Sequence, residues 1–522
     1  MESPSLANIN PASDWTRFAT TAFSARIGRS DAPAVLPVFG IADHGLGLPL
    51  DVEEVIGSEI LRRACAALRA AGGEPWVLPP LRFGPAPYPS QHFGLDPDTG
   101  LDWLRETADG IRRTGFSRLV IVTTSPWHRE WIDACALDLH AETGLEVFKL
   151  HLGDLGLALH PAAPLTERAR TQAVGSALLK TQPEPSGPGE VRDAEFRPGC
   201  FLQPPPVDAS ARDAALDAEA WLVATAARCA RLLAEACGKP FAIANPPAAA
   251  ACCAWRPFAR RYLPALTAAG LKKAQPDFGR AVAVLPVGAI EQHGPHLPVG
   301  VDALLGEGLL AAALAKLPAD APVWVTPPIT VGKSVEHRDF AGTLSVSSRT
   351  LRALLTAQIE YLHALGFGTV AIWNTHGGNS AVLTYTIREL QSRTGLRIGR
   401  LESGFKPELN AQEAAFGFHA GHWETALMLA LAPELVDMSA AVSDYPARID
   451  DPGELRPERG AITRAWMTAE LSPTGVMGDA RAATKEQGQA WVEATASRQS
   501  ASNCSHAPAQ SERDPPVFTR WK

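Results

Sequence analysis

The 522-residue chain reads as an α/β protein built from two tandem copies of one domain, each a mainly parallel β-sheet flanked by helices. Three observations predict this. Apolar runs of strand length (34–38, 118–123, 281–287 and 369–373) alternate with alanine- and leucine-rich stretches of helical length, such as 56–70, 303–316 and 349–365. Such βα alternation builds parallel sheets covered by helices. The second observation is an internal repeat: AVLPVFGIADHGLGLPLDVE (34–53) aligns without a gap to AVLPVGAIEQHGPHLPVGVD (283–302). Ala34 to Val38, Ile41, His44, Gly45, Leu48, Pro49 and Val52 are identical to their partners. The third is that histidines and carboxylates cluster just after the apolar runs, where open α/β sheets bind their ligands.

The repeat continues along the chain. WVLPP (76–80) pairs with WVTPP (324–328), and GFSRLVIVTT (115–124) with GFGTVAIWNT (366–375). ALLKTQPE (177–184) pairs with LMLALAPE (427–434), and EAWLVATA (219–226) with QAWVEATA (489–496). The predicted organisation is a flexible N-terminus (1–30), a first copy (31–237), a connector (238–277), a second copy (278–497) and a flexible tail (498–522). Residues 185–213, rich in Pro, Gly and charge, are expected to form a loop within the first copy.

Composition narrows the function classes. This length favours more than one domain, since single cores rarely exceed about 250–300 residues. Hydrophobic content of 46% and charged content of 20% are those of a globular protein. A net charge of −8 gives no basic footprint for nucleic acid. No apolar run reaches the roughly 20 residues that span a bilayer, and MESPSLANINPASDW lacks the basic-then-apolar pattern of a signal peptide, so no membrane partner and a cytoplasmic location are expected. The eight cysteines, including adjacent Cys252 and Cys253, show no CxxC pairing and are expected as reduced, mostly buried thiols.

The second copy carries three clusters of ligand-type residues. Glu291, His293, His296 and Asp302 follow the first apolar run; Asn374, His376 and the Gly377-Gly378 turn follow the run 369–373; and His419, His422 and Glu424 open a helix-like segment. Mixed carboxylate and imidazole donors suit zinc, manganese or iron better than calcium, which takes oxygen alone. Any one cluster also fits a solvated loop or a packed histidine, whereas three of like chemistry, each at the end of an apolar element, point to one metal site. Trp373, Phe418 and Trp423 flank these positions and suit either core packing or substrate stacking.

The motifs PVGAIEQHGPHLPVGVD (286–302), SVEHRDFAGTLSVS (334–347), NTHGGN (374–379), HAGHWET (419–425), APELVDM (432–438) and GVMGDARAATKEQG (475–488) resemble, in order, those of the creatininase (creatinine amidohydrolase) family. The resemblance covers about residues 278–497. It implies two divalent ions, zinc, manganese or iron, held by Glu291, His293, Asp302, His376 and Glu424. It further implies hydrolysis of a C–N bond of a small, often cyclic amide by a metal-activated water. His419 and Glu424 would be catalytic, and His419 would act as general acid/base. Glu336, His337, Trp373, Gly377 and Gly378 would contact the substrate, and His296 would support a ligand. Family members also act on a peptide precursor of a redox cofactor, so a peptide- or formamide-cleaving hydrolase is the alternative; a non-catalytic scaffold is the reading from another class. Creatininase itself carries a glutamate where this chain has Gly378 and another acid where it has Phe418, so the resemblance does not extend to creatinine as substrate. Relatives are homo-oligomers, and a homo-oligomer is expected here.

The copies differ where chemistry would occur. Glu291 aligns with Ala42, Asp302 with Glu53, His376 with Ser125 and Glu424 with Val174; His293 alone keeps its partner, His44. Ala, Ser and Val offer no comparable donors. The first copy is therefore expected to be metal-free and structural, with His44 a packing residue.

Overall fold

The computed structural model describes residues 11–25, 32–85, 91–160, 163–184, 218–238, 243–244, 258, 260–402, 404–450, 455–456 and 462–506. The elements of the first copy are α1 (Thr20–Ser24), β1 (Ala34–Val38), α2 (Val52–Ala70), β2 (Trp76–Val77), α3 (Pro97–Arg113), β3 (Arg118–Thr123), α4 (Arg129–Thr143), β4 (Glu146–His151), α5 (Leu165–Leu179) and α6 (Ala218–Ala236). After α7 (Ala268–Ala274) the order recurs as β5 (Val282–Val287), α8 (Val301–Ala315), β6 (Val323–Val325), α9 (Ser348–Ala364), β7 (Thr369–Asn374), α10 (Ser380–Thr394) and β8 (Arg397–Arg400). Short α11 (Ala411–Phe416), α12 (His422–Leu431), α13 (Thr468–Leu471) and α14 (Lys485–His506) complete the chain.

Each copy holds a four-stranded parallel sheet, with strand order β2-β1-β3-β4 in the first and β6-β5-β7-β8 in the second. Every residue of β1 and β5 is buried, which is why both read as unbroken apolar runs. Helix starts follow from local chemistry. Asp96 accepts from the Thr99 amide ahead of Pro97 to open α3, and Ser347 accepts from the Thr350 amide to open α9 at the matching place in the repeat. Among the described residues no helix is long and apolar enough to cross a membrane.

Two expectations about chain ends are corrected. Residues 1–30 were expected to be flexible, yet Trp15 and Phe23 are fully buried and join Phe18, Trp76 and Phe116 in one aromatic cluster, with Phe18 and Trp76 centroids 4.3 Å apart. Burying a large aromatic contributes roughly 2–3 kcal/mol, enough to order a short polar-looking segment. The tail expected from 498 instead begins inside α14, which runs to His506. The predicted loop 185–213 lies outside the described residues, as do Cys252 and Cys253. Cys65, Cys135, Cys229 and Cys237 are buried and form no disulfide among the described residues.

Candidate metal centre

Parallel pairing explains why distant motifs meet. β5 and β7 are neighbours in register, Val287 opposite Asn374, so the segments leaving their carboxyl ends start side by side. The first carries Glu291 and His293 and ends at α8, whose first turn bears Asp302; the second carries His376. Glu424 sits in the first turn of α12. Carboxylates near helix N-termini are held favourably by the axial dipole, which steadies both Asp302 and Glu424.

Glu291 lies at the centre of the cluster and is buried. Its Oε1 is 3.2 Å from His376 Nδ1, 3.5 Å from His337 Nε2, 3.6 Å from His419 Nδ1 and 4.0 Å from His293 Nε2. Its Oε2 accepts the Ser334 hydroxyl. His293 Nδ1 donates to the Glu291 carbonyl at 3.0 Å, which turns Nε2 toward Asp302 Oδ1 and Glu424 Oε2, each 3.8 Å away. His376 Nε2 donates to the Lys333 carbonyl at 2.8 Å, which turns Nδ1 toward Asp302 Oδ2 at 3.5 Å. A histidine whose outer nitrogen is fixed by a carbonyl presents its other nitrogen as a ligand. Glu424 Oε2 is aimed by the Ala420 amide at 2.5 Å.

Electrostatics mark the same groups. Burial opposes it, but His337, His376 and His419 hold Glu291 well below the usual carboxylate range. Burial and the charge of Glu291 push Asp302 well above that range, and burial raises Glu424 as well. Burial takes His293 down to about 3 and His296 to about 4, and drives His337 well below its ordinary value. His376 is raised to about 10 against its burial, because Glu291, Asp302 and Glu336 draw a proton to it. Such opposed shifts in one buried cluster are typical of functional sites.

The donor set fits a divalent cation. His293 Nε2 and Asp302 Oδ2 are buried without a hydrogen-bond partner, although each such atom costs about 1–3 kcal/mol unless satisfied. Three groups of residues bring ligand atoms within 4.8 Å of one another: Glu291, His293 and Asp302; His293, His419 and Glu424; and Glu291, His337 and His419. Carboxylate oxygen and imidazole nitrogen at such spacing match zinc, manganese or iron.

The other predicted residues are placed as follows. His419 and His337 stack with centroids 4.2 Å apart and stand within ligand reach of Glu291. Glu336 lies at the rim, 3.3 Å from Lys333 Nζ and 3.8 Å from His376 Nε2. Gly378 is required by close approach: a Cβ there would stand 2.2 Å from Glu336 Oε1 and 2.6 Å from the Lys333 carbonyl. Beside Gly377 the space is open. Trp373 belongs to the core, where its indole N–H donates to the Gly306 carbonyl at 2.8 Å and its ring lines an apolar cavity with Phe258, Pro286 and Ile329. His296 contacts the Thr425 hydroxyl at 2.9 Å, and His422 contacts Gln487 at 3.0 Å and packs on Trp491.

Sequence reasoning passed over Gln292, whose amide nitrogen is 2.9 Å from His337 Nδ1, 3.0 Å from His419 Nε2 and 3.0 Å from the Gly475 carbonyl, tying three motifs together. Its place between Glu291 and His293 was the available signal. Ser334 opens the SVEHRDF motif. Thr468, 2.7 Å from His337 Nδ1, lies in no motif and carried no signal.

In the first copy, the matching place holds a hydrogen-bonded pair: His44 Nε2 is 2.9 Å from Glu53 Oε1, and Glu53 Oε2 accepts from the Gly40 amide and the Thr124 hydroxyl, both at 2.8 Å. The extra methylene of Glu53 relative to aspartate gives it this reach.

Comparison with known proteins identifies the family. The chain is similar to the mycofactocin precursor peptide peptidase of Mycobacterium ulcerans (strain Agy99), 34% identical over 217 residues, which are 40% of this chain and 78% of that protein. It is similar to the creatinine amidohydrolase of Pseudomonas putida, 30% identical over 235 residues, 41% of this chain and 85% of that one. A solved structure described as Creatininase Mn is 26% identical, covers 48% of this chain and 99% of its own, and has a TM-score of 0.39. The family model Creatininase, described as creatinine amidohydrolase, matches residues 17–184 and again 265–502, and the chain is a member of the creatininase family in tandem form.

Proposed function

We propose that the second copy is a metal-dependent amidohydrolase that cleaves a C–N bond of a small, cyclic amide. The family and its relatives indicate a hydrolase. The observation that carries the finer reading is the convergence of His293 Nε2 and Asp302 Oδ2, buried and unpartnered, on Glu291, His376 and Glu424.

Glu291, His293, Asp302, His376 and Glu424 would hold two divalent ions, zinc or manganese, which when bound bring a water near neutrality and polarise the substrate carbonyl. The chain's own groups supply the rest. Buried Glu291 and Asp302 and partly buried Glu424 would give the charge that retains cations, and the Glu291 and Lys333 carbonyls fix the tautomers of His293 and His376. His419 is anchored through Nε2 to the Gln292 carbonyl at 2.8 Å, leaving Nδ1 toward Glu291 and able to pass a proton to the departing nitrogen. Glu336, paired with Lys333, would contact the substrate beside Gly377.

A second reading, hydrolysis of a peptide or formamide bond, is favoured by the relative that is named a peptide peptidase. Both readings share the metal centre and differ in substrate. The test is metal content per chain for the wild type and Asp302→Ala, followed by hydrolysis of a panel of cyclic amides, formamides and short peptides. About two ions in the wild type, lost in the variant, supports the reading; a full metal complement in Asp302→Ala refutes it, and the panel separates the two substrates.

A further inference from the structure

The segments that lead into the two copies are exchanged. Each lead-in first adds to the outer strand of its own sheet: the Ser13 carbonyl accepts from Val77 N and the Arg261 carbonyl from Val325 N, both at 2.7 Å, with parallel bridges Asp14 to Val77 and Tyr262 to Val325. Each then crosses to the other copy. The Thr16 and Phe18 carbonyls accept from Gly300 N at 3.1 Å and Val299 N at 2.9 Å, and the Pro264 and Leu266 carbonyls accept from Asp51 N at 3.1 Å and Leu50 N at 3.0 Å. In the repeat, Val299-Gly300 corresponds to Leu50-Asp51, so the two crossings are equivalent. Only one of them ends at a metal-ligand loop: Gly300 is the N-cap of α8, two residues before Asp302.

Gly300 is shaped for this contact. Its backbone, φ −89° and ψ 8°, suits any residue, yet a Cβ there would stand 2.6 Å from the Thr16 carbonyl oxygen. Glycine is needed for the close approach of the lead-in. The lead-in is itself anchored: Asp14 Oδ1 accepts from the Thr16 amide at 3.0 Å and its hydroxyl at 2.6 Å, and Trp15 Nε1 donates to the Gly342 carbonyl at 2.9 Å. Gly342 N in turn donates to the Thr114 hydroxyl oxygen at 3.0 Å, so the loop that follows Glu336 and His337 is also held by the first copy.

We propose that the lead-in Ser13–Phe18 is a positioning element for Asp302, acting through Val299 and Gly300, and that the first copy thereby sets the metal affinity of the second. This rests on the metal reading above. The structural logic is a hydrogen-bonded path from β2 through the lead-in to the N-terminus of α8, backed by an aromatic cluster that belongs to the first copy.

The test uses the full chain and Mn²⁺ as the probe, with affinity from calorimetry and ligand geometry from the absorption spectrum of the Co²⁺-loaded chain. Gly300→Ala forces the lead-in away from α8. Loss of a group that orients a metal ligand typically costs 10–100-fold in affinity, and about tenfold or more is expected, with an altered Co²⁺ spectrum and an unchanged far-UV spectrum. Phe18→Ala, which loosens the lead-in without a clash, is expected to weaken binding in the same direction and keeps the test open if Gly300→Ala does not fold. Ile60→Ala, in the separate core under α2, destabilises the first copy away from the lead-in and is expected to leave affinity unchanged. Equal affinity in the wild type, Gly300→Ala and Phe18→Ala overturns the inference while leaving the hydrolase reading intact. Equal weakening by Ile60→Ala also overturns it, since general stability would then explain the effect. A wild-type chain that takes up no Mn²⁺ overturns both readings.

Discussion

Asp302→Asn separates the requirements of the site from those of the fold. Asp302 and Glu291 are both buried and their ligand atoms lie within 4.8 Å. Two like charges at that separation repel by about 3.5 kcal/mol at an effective dielectric of about 20. Protonating one carboxyl at neutral pH relieves this at a similar cost, so the chain stripped of metal carries a penalty of about 3 kcal/mol either way. Asparagine removes that charge at nearly constant volume. In chelator at pH 7 the variant should unfold about 5–10 °C above the wild type, using the scaling for a domain of this size. The sign with pH follows from the raised pKa of Asp302. A carboxyl whose pKa is raised by folding leaves stability intact at low pH and withdraws it as pH climbs through the folded value, so the advantage of Asp302→Asn should vanish below about pH 4. Added Mn²⁺ should stabilise the wild type and not the variant. Thermal unfolding with and without chelator measures all three. A variant that melts below the wild type in chelator would mean that protein contacts already compensate Asp302, and the cation argument would fail.

Two further outcomes are expected. His92 and His128 are each held down to about 4 by burial and remain neutral in the folded chain. Unfolded histidine titrates near 6.5, so the contribution of each to stability should be level above that pH and fall by up to about 3 kcal/mol as pH drops from 6.5 toward 4, read as the difference in urea midpoint between the wild type and His92→Gln or His128→Gln; a difference that does not change with pH would contradict this. His44→Ala strands the buried Glu53 carboxylate and should cost about 3–5 kcal/mol in stability while metal content stays at the wild-type level; lost metal would instead place ions in the first copy.

Much of the architecture was readable because buried parallel strands declare themselves. β1 and β3 fall at 34–38 and 118–123 as expected, and the helices observed at 301–315 and 348–364 differ from 303–316 and 349–365 by one or two residues at each end. The candidate ligand residues were readable for a related reason: Glu291, His293, Asp302, His376 and Glu424 each sit where a strand has just ended or a helix has just begun. What stayed hidden depends on partners remote in the chain. MESPSLANINPASDWTRFATTAF has the composition of a loose terminus, and nothing local announces that Trp15 packs on Phe23 and Phe116 or that Thr16 meets Gly300. Trp373 lies in β7, three residues before His376, yet its indole is satisfied by Gly306 in the core.

The sequence by itself therefore determined the tandem α/β plan, the family and the chemistry of the donors, since periodicity, repeat and residue type are local properties of the chain. The tertiary structure alone decided which nitrogen of each histidine faces the cluster, which buried polar atoms lack a hydrogen-bond partner, and that the segment leading into the first copy hydrogen-bonds Val299 and Gly300 of the second. Those outcomes turn on backbone carbonyls and close approaches between segments hundreds of residues apart, and no side-chain pattern encodes them.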